Sequence, residues 1–287
     1  MRTSAPPKVC VTVADMRSAC RELRAAGKRL GFVPTMGALH AGHVSLVRAA
    51  SAQCNVVAVS IFVNPTQFGP KEDLAKYPRP FENDCTALEK EGVDLIFAPT
   101  VEEMYGGAGT TWVTVEGLSE KLDGRSRPGH FRGVTTVVSK LFHIVEPDVA
   151  FFGQKDAAQV AIIRRMVRDL NIPAEIVSCP IVREPDGLAM SSRNAYLSSE
   201  DRQRALVLHR SLNGVEKAFR EGERSAPKLA QAGRAVIAKE SEVRLDYFEI
   251  VDPETLDPVE SVAGKVLVAV AAYVGPTRLI DNILLDS

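Results

Sequence analysis

Residues 30–46 read Leu-Gly-Phe-Val-Pro-Thr-Met-Gly-Ala-Leu-His-Ala-Gly-His-Val-Ser-Leu and combine an apolar strand pattern, a loop with two glycines and the start of a helix. A strand, a glycine loop and a helix in succession direct backbone N–H groups and the positive end of a helix dipole toward an anion. His40 and His43 flank Gly42 where the helix begins, and imidazole rings there can donate hydrogen bonds to phosphate oxygens. The stretch therefore predicts a phosphate-binding site at the start of a helix.

The two histidines allow other interpretations. Residues at i and i+3 share one helix face, so His40 and His43 could hold a metal ion, although no third ligand stands at a matching spacing. Both could also serve only the local structure. The neighbouring glycines favour phosphate contact over these alternatives.

Strand and helix patterns alternate on both sides of this stretch. Residues 56–63 are almost entirely apolar, which is typical of a parallel strand that is buried on both faces. Further strands are predicted at 94–98, 112–115, 149–152 and 174–179, and helices at 13–26, 44–50, 81–91, 134–145 and 157–170. This alternation predicts an α/β fold with a parallel sheet.

The alternation stops after Pro180. Residues 182–194 are predicted to form a loop, followed by two helices at 200–220 and 226–240. Three strands then follow, at 243–251, 265–274 and 278–285. Helices followed by hairpin-like strands predict a smaller α+β second domain, so we divide the chain into domains 1–181 and 182–287.

The composition is that of an ordinary globular protein. The chain has 287 residues, of which 45% are hydrophobic and 25% charged, with a formal net charge of -1. A balanced charge provides no basic field for a polyanion, so nucleic acid is not expected as the main partner. A small anionic substrate needs only a local basic site.

The cysteines and the apolar segments indicate where in the cell the protein is expected. Five widely spaced cysteines without a Cys-x-x-Cys pair predict reduced thiols, and hence a cytoplasmic protein, instead of disulfides or a zinc site. The first eight residues lack the apolar core of a signal peptide. The longest uncharged apolar run, Val266–Val274, is too short to cross a bilayer, so no membrane partner is expected.

Two further motifs carry polar groups suited to phosphate. Lys155 follows Gly153 directly after a predicted strand, although the neighbouring Asp156 could simply cap a helix. The run Met190–Asn194 places two hydroxyls beside a guanidinium, which suits phosphate oxygens, but it could equally be a serine-rich turn.

Other polar residues are less informative. Asn64, Gln67 and Tyr77 fit a solvated loop when they are taken alone. His130, with arginines on both sides at 127 and 132, could be a surface basic cluster.

Taken together, these motifs resemble a known family. His40-Ala41-Gly42-His43 resembles the HxGH motif of the nucleotidylyltransferase superfamily, and the longer run 34–43 resembles the pantothenate synthetase family. Met190–Asn194 resembles that family's version of the loop that faces HxGH across the nucleotide. The matching segments, which occur in the family's order, are 34–46, 60–69, 77–79, 129–134, 151–156 and 183–194.

The resemblance implies a Rossmann-like N-terminal domain that binds ATP and pantoate, a C-terminal lid and a homodimer. It implies His43 as proton donor, with His40, Lys155 and Arg193 as the other catalytic residues. The ATP site that it implies comprises Met36, Gly37, Ala38, Leu39, His40, Ala41, Gly42, His43, Gly153, Gln154, Lys155, Asp156, Val182, Met190, Ser191, Ser192 and Arg193.

The implied acid site comprises Gln67, Gln159, Asn64 and Tyr77 for pantoate, with Gln67 also contacting β-alanine. Where relatives carry two acidic residues, this chain has Asn83-Asp84, which leaves Asp84 as the candidate contact for Mg²⁺.

The implied reaction is the ATP-dependent ligation of pantoate and β-alanine, with release of AMP and diphosphate through a pantoyl-adenylate. One alternative is a nucleotidylyltransferase that retains AMP on its product, and another is a nucleotide-binding regulatory module without catalysis. The Met190–Asn194 run argues against the first, and the joint presence of His43, Lys155 and Arg193 argues against the second.

Overall fold

The computed structural model describes residues 6–70, 72–107 and 109–287. Two compact units divide the chain. The first runs through Ser119 and includes Arg127–Gly153 and Ile162–Cys179, and the second is formed by Glu120–Ser126, Gln154–Ala161 and Pro180–Ser287. Within the described ranges, every helix is too short or too polar to cross a membrane.

The first unit is built on a six-stranded parallel sheet. Its strands are β1 (Lys8–Cys10), β2 (Leu30–Thr35), β3 (Val56–Ile61), β4 (Leu95–Phe97), β5 (Val149–Gly153) and β6 (Glu175–Cys179), in the spatial order β1-β4-β3-β2-β5-β6. The order reverses between β2 and β5, which pair directly through Gly31 with Val149 and Phe32 with Ala150. Ligands of open α/β sheets bind beyond the carboxyl ends of strands at such a reversal. Here the carboxyl end of β2 leads into the histidine loop.

Helices connect the strands of this sheet along the chain. They are α1 (Val13–Ala25), α2 (Ala41–Gln53), α3 (Phe81–Lys90), α4 (Val101–Tyr105), α5 (Asp123–Ser126), α6 (His130–Val145) and α7 (Ala157–Asp169), of which α5 and the first turns of α7 belong to the second unit. Phe142 of α6 meets Phe32 and Phe152 edge-on, with ring centroids 6.5 Å apart in both pairs. Each such buried aromatic ring contributes about 1.5–3 kcal/mol, which fixes α6 against the strands that carry the site.

The second unit contains an antiparallel sheet and two long helices. The strands β7 (Val243–Val251), β8 (Val266–Val274) and β9 (Thr277–Leu285) lie in sequence order, and α8 (Ser199–Arg220) and α9 (Ala226–Ile237) pack on them. The apolar core includes Leu208, Leu229, Phe248 and Val268. An α/β fold with a smaller α+β unit is therefore confirmed.

The strand predicted at 112–115 is wrong. The backbone there bonds to side chains of α6: Val113 N–H donates to Thr136 Oγ1 at 3.0 Å, and Thr135 Oγ1 donates to the Val113 carbonyl at 2.6 Å. These hydroxyls satisfy the backbone groups that a sheet ladder would use. Strand β1, which is only three residues long, was not predicted from the sequence.

Candidate active site

The loop after β2 has an unusual backbone. Gly37 and Ala38 both have positive φ, at 80° and 52°. Thr35 Oγ1 accepts the Gly37 N–H at 3.1 Å and donates to the Ser60 carbonyl at 2.6 Å. Since Ala38 carries a Cβ in the left-handed region, contacts around the loop must compensate for its strain.

Asp84 of α3 holds the same loop. Its Oδ2 accepts the Ala38 N–H at 2.9 Å and its Oδ1 accepts the Leu39 N–H at 2.8 Å. The side chain is buried, with 3% of the residue exposed. Burial raises the pKa of Asp84, although the two N–H donors act to lower it. Both carboxylate oxygens are thus used to order the backbone that leads to His40.

His40 and His43 cap α2 reciprocally. His40 Nδ1 accepts the Gly42 N–H at 3.1 Å, and His43 Nδ1 accepts the His40 N–H at 3.3 Å. The ring centroids lie 4.1 Å apart. A nitrogen that accepts a hydrogen bond carries no proton, so each neutral ring holds its proton on Nε2. The far edge of each imidazole is therefore a hydrogen-bond donor, as phosphate contact requires.

Asn64 and Gln67 follow β3 in the first unit. Asn64 is 1% exposed, and its Nδ2 donates to Gln67 Oε1 at 3.0 Å. Gln67 Nε2 lies 3.1 Å from Met36 Sδ. Tyr77 is also buried and meets Phe68 edge-on at 5.9 Å between ring centroids. These residues do not form the solvated loop that their sequence alone allowed.

The basic residues near position 130 support this segment. Arg127 donates twice to the Glu72 carboxylate, at 2.6 and 2.9 Å, and also contacts His130 Nε2 at 3.0 Å. Because arginine only donates, His130 Nε2 accepts, and its Nδ1–H donates to the Gln67 carbonyl at 2.8 Å. Burial alone would raise the pKa of Glu72, but the hydrogen bonds and the charge of Arg127 lower it. Arg127, Glu72 and His130 therefore form a charge-balanced group that binds the Gln67 carbonyl, instead of a surface basic patch.

In the second unit, the loop with Lys155 is held by β9. Asn282 Nδ2 donates to the carbonyls of Gln154 and Lys155 at 2.9 and 3.0 Å, and its Oδ1 accepts from Gln154 Nε2 at 3.2 Å. Asn282 is 3% exposed. The Lys155 ammonium lies 3.5 Å from Asp156 Oδ1. Gln159 stands on the first turn of α7, directly after this loop.

The predicted loop at 182–194 folds back on itself. Arg183 and Ala189 form an isolated antiparallel β-bridge, and the Met190 N–H donates to the Val182 carbonyl at 3.0 Å. Arg183 also forms a two-point ion pair with Asp281, at 2.6 and 3.0 Å.

The serine-rich run that follows is locally ordered. Ser191 Oγ caps the short 3-10 turn Ser192–Tyr196 by accepting the Arg193 N–H at 3.2 Å. Asn194 Nδ2 donates to Glu184 Oε1 at 2.7 Å. The hydroxyl and guanidinium residues therefore stand on a pre-formed turn, which suits a polyanionic ligand.

Comparison with known proteins identifies the family of this chain. A model of the pantoate-β-alanine ligase family matches residues 8–284. The chain belongs to the pantoate-β-alanine ligase family. It is 63% identical over 280 residues to a pantothenate synthetase of Koribacter versatilis strain Ellin345, covering 98% of this chain and 96% of that protein.

Solved structures of this ligase family are similar along the whole chain. A pantothenate synthetase from Thermus thermophilus has a TM-score of 0.91 at 46% identity, with 99% of both chains covered. A pantoate-β-alanine ligase from Francisella tularensis, complexed with beta-gamma ATP and beta-alanine, has a TM-score of 0.77 at 33% identity, with 97% of both chains covered.

The structure adds residues to the candidate site that were not predicted from the sequence. Tyr105 donates to Asn64 Oδ1 at 2.7 Å, and Asn282 holds the lysine loop. Nothing in the sequence around Tyr105 indicated this contact. For Asn282 there was a signal in the sequence, since Asp281 and Asn282 interrupt the apolar run 279–285, and the structure buries both.

Proposed function

We propose that this chain catalyses the ATP-dependent ligation of (R)-pantoate and β-alanine to pantothenate, with release of AMP and diphosphate through a pantoyl-adenylate. The observation that supports the proposal most directly is the reciprocal cap formed by His40 and His43 in a chain of the ligase family. Its Nε2–H groups and the α2 N-terminus provide donors for phosphate oxygens. The complex of the Francisella tularensis relative with beta-gamma ATP and beta-alanine supports it.

In the first proposed step, a pantoate carboxylate oxygen attacks the α-phosphorus of ATP. A bond forms between that oxygen and phosphorus, and the bond to diphosphate breaks. Negative charge accumulates on the phosphoryl oxygens as this happens. His40, His43 and Lys155 stabilise that charge, together with the hydroxyls and guanidinium of Ser191, Ser192 and Arg193.

In the second proposed step, the β-alanine amine attacks the activated carbonyl and AMP leaves. Gln67 contacts both pantoate and β-alanine, and Gln159, Asn64 and Tyr77 contribute to the pantoate site. Neutral amides suit this task because they add neither a competing charge nor a nucleophile to the site.

We propose that Mg²⁺ enters with ATP, as part of that substrate. Each carboxylate oxygen of Asp84 accepts one backbone N–H and keeps a second acceptor site, so we propose that this buried residue contacts the Mg²⁺ through water. Within the described part of the chain, no three His, Cys, Asp or Glu side chains form a group that could hold a metal ion. Magnesium is commonly held by substrate phosphates and water instead of a protein cage.

Further parts of the proposal concern the whole protein. Residues 1–181 bind ATP and pantoate, and residues 182–287 act as a lid that excludes water from the adenylate. The protein is cytoplasmic, which the five unbridged cysteines support, and it forms a homodimer.

Product analysis tests the proposed function. Incubation with ATP, pantoate and β-alanine is expected to yield pantothenate and AMP in equal amounts, as measured by mass spectrometry. A product that retains AMP would identify a nucleotidylyltransferase instead. Absence of any new product, with ATP still bound, would favour a regulatory module.

Replacement of Lys155 by alanine is expected to weaken ATP binding and to slow adenylate formation, each by about tenfold or more, because a charge-assisted contact to phosphate is lost. Arginine should restore only part of the loss, since its planar fork differs from a compact ammonium. Calorimetric titration with ATP and single-turnover kinetics measure the two effects. The exposed Lys239 of the same unit provides the control variant Lys239→Ala, and equal behaviour of both variants would show that Lys155 is only a surface charge.

A further inference from the structure

Asn64 of the proposed acid site uses both ends of its side-chain amide in hydrogen bonds. Its Oδ1 accepts from the Thr66 N–H at 3.3 Å, from Thr66 Oγ1 at 2.9 Å and from the Tyr105 hydroxyl at 2.7 Å. Its Nδ2 donates to the Gly133 carbonyl at 3.2 Å and to Gln67 Oε1 at 3.0 Å. These bonds use both Nδ2 hydrogens and saturate Oδ1.

The backbone fixes the orientation of the Asn64 amide. The Thr66 N–H can only donate and the Gly133 carbonyl can only accept, so the oxygen of Asn64 must face Thr66 and its nitrogen must face Gly133. The contact requires glycine at position 133, because a Cβ there would lie 2.3 Å from the Thr66 carbonyl oxygen.

The Asn64 amide then fixes the orientation of Gln67. Because Asn64 Nδ2 donates, the Gln67 atom that faces it must be the acceptor Oε1. The Gln67 NH₂ group therefore points away from Asn64, where its neighbour is Met36 Sδ at 3.1 Å. A thioether is a weak acceptor, so a substrate oxygen can replace it at little cost.

We infer that Asn64 is a positioning residue which sets Gln67 as a hydrogen-bond donor toward the acid substrate, so that this position selects an accepting oxygen. The inference rests on the proposed function, in which Gln67 contacts pantoate. It gives Asn64 a role through Gln67 instead of a direct contact with pantoate. If the Gln67 amide had the opposite orientation, its carbonyl oxygen would face a substrate oxygen. Two acceptors would then face each other without a hydrogen bond, which lowers the affinity for the substrate.

A double-mutant cycle tests this inference. Asn64→Asp keeps the shape of the side chain but removes its donor, so Gln67 is expected to turn its NH₂ toward position 64. The KM for pantoate should rise about tenfold or more, while the KM for ATP changes less than about twofold. In a Gln67→Ala background, Asn64→Asp should raise the KM for pantoate by less than about twofold, because the group that it orients is gone.

Two further variants keep the test decisive. Asn55→Asp makes the same substitution at the exposed amino end of β3 and should leave every KM unchanged. If Asn64→Asp fails to fold, Gln67→Glu, which keeps the acceptor that faces Asn64 but replaces the donor that faces the substrate with a carboxylate oxygen, should raise the KM for pantoate at least as much as Gln67→Ala.

The outcomes separate the inference from the proposed function. Equal effects of Asn64→Asp in the wild-type and Gln67→Ala backgrounds would show that Asn64 acts independently of Gln67, and an unchanged KM for pantoate would also overturn the inference. If Asn64→Asp fails to fold, a near-normal KM for pantoate in the Gln67→Glu enzyme would overturn the inference. A wild-type protein that forms no pantothenate would overturn the proposed function itself, and this inference with it.

Discussion

Replacement of His43 by alanine is expected to lower turnover by about 10²-fold or more. The proposed role of this side chain is to donate from Nε2 to phosphate oxygens as charge accumulates on them. Its Nδ1 already accepts the His40 N–H at 3.3 Å, which places the proton on the opposite nitrogen. A preorganised donor of this kind contributes about 2.7 kcal/mol or more to the transition state. Steady-state kinetics at saturating substrate measure the effect.

Three variants separate catalysis from folding at this position. Loss of the cap at the start of α2 costs about 0.5–2 kcal/mol, which leaves a protein of ordinary stability folded. His43→Asn retains an acceptor for the His40 N–H but lacks the far donor, so it should be as slow as His43→Ala. His143→Ala, on the exposed side of α6, should be fully active. A His43→Asn enzyme with near-normal turnover would show that His43 serves only to cap the helix.

The sequence was informative where a pattern is local and periodic. The buried strand predicted at 56–63 is observed as Val56–Ile61, and the C-terminal strands predicted at 243–251 and 265–274 are observed as Val243–Val251 and Val266–Val274. Segments of this length that are rich in β-branched and aromatic residues and are apolar on at least one face are typical of strands in a sheet. The segment 112–115 (Trp-Val-Thr-Val) is also rich in aromatic and β-branched residues, but the hydroxyls of Thr135 and Thr136 take its backbone bonds. The local sequence pattern does not show that the backbone of Val113 bonds to side chains 22 and 23 residues away.

The residues of the candidate site also fall into those that the local sequence predicts and those that it does not. The structure alone shows the reciprocal cap of His40 and His43, but the position of this pair at a helix start could be predicted, because residues three apart meet there. The role of Asp84 could not, since the carboxylate reaches the loop over 45 and 46 residues of sequence. Asn282 stood out as a polar residue in an apolar run, but its contact with Lys155, 127 residues away in the sequence, could not be predicted either. Such residues arrange the backbone of a site without themselves having the chemistry that a motif search looks for.

The order of the chemical steps follows from where the phosphate-directed groups stand in the chain. They lie in three loops, around His40, Lys155 and Arg193, and no proposed contact of theirs involves β-alanine. The acyl-adenylate should therefore form before the amine reacts. A mixed anhydride hydrolyses readily in water, so we propose that the turn at 190–194 and residues 182–287 shield it until the amine arrives.

Radiolabelled diphosphate is therefore expected to exchange into ATP when pantoate and Mg²⁺ are present and β-alanine is absent. Diphosphate can re-enter ATP only if the pantoyl-adenylate forms reversibly, so omission of pantoate should abolish the exchange, and His43→Ala should slow it to the same extent as turnover. The nucleotide product of complete turnover should be AMP. ADP and phosphate in its place would indicate an acyl-phosphate, which contradicts adenylylation. Exchange that requires β-alanine would contradict the two-step order while leaving the overall ligation intact, because it would mean that the amine takes part before diphosphate leaves.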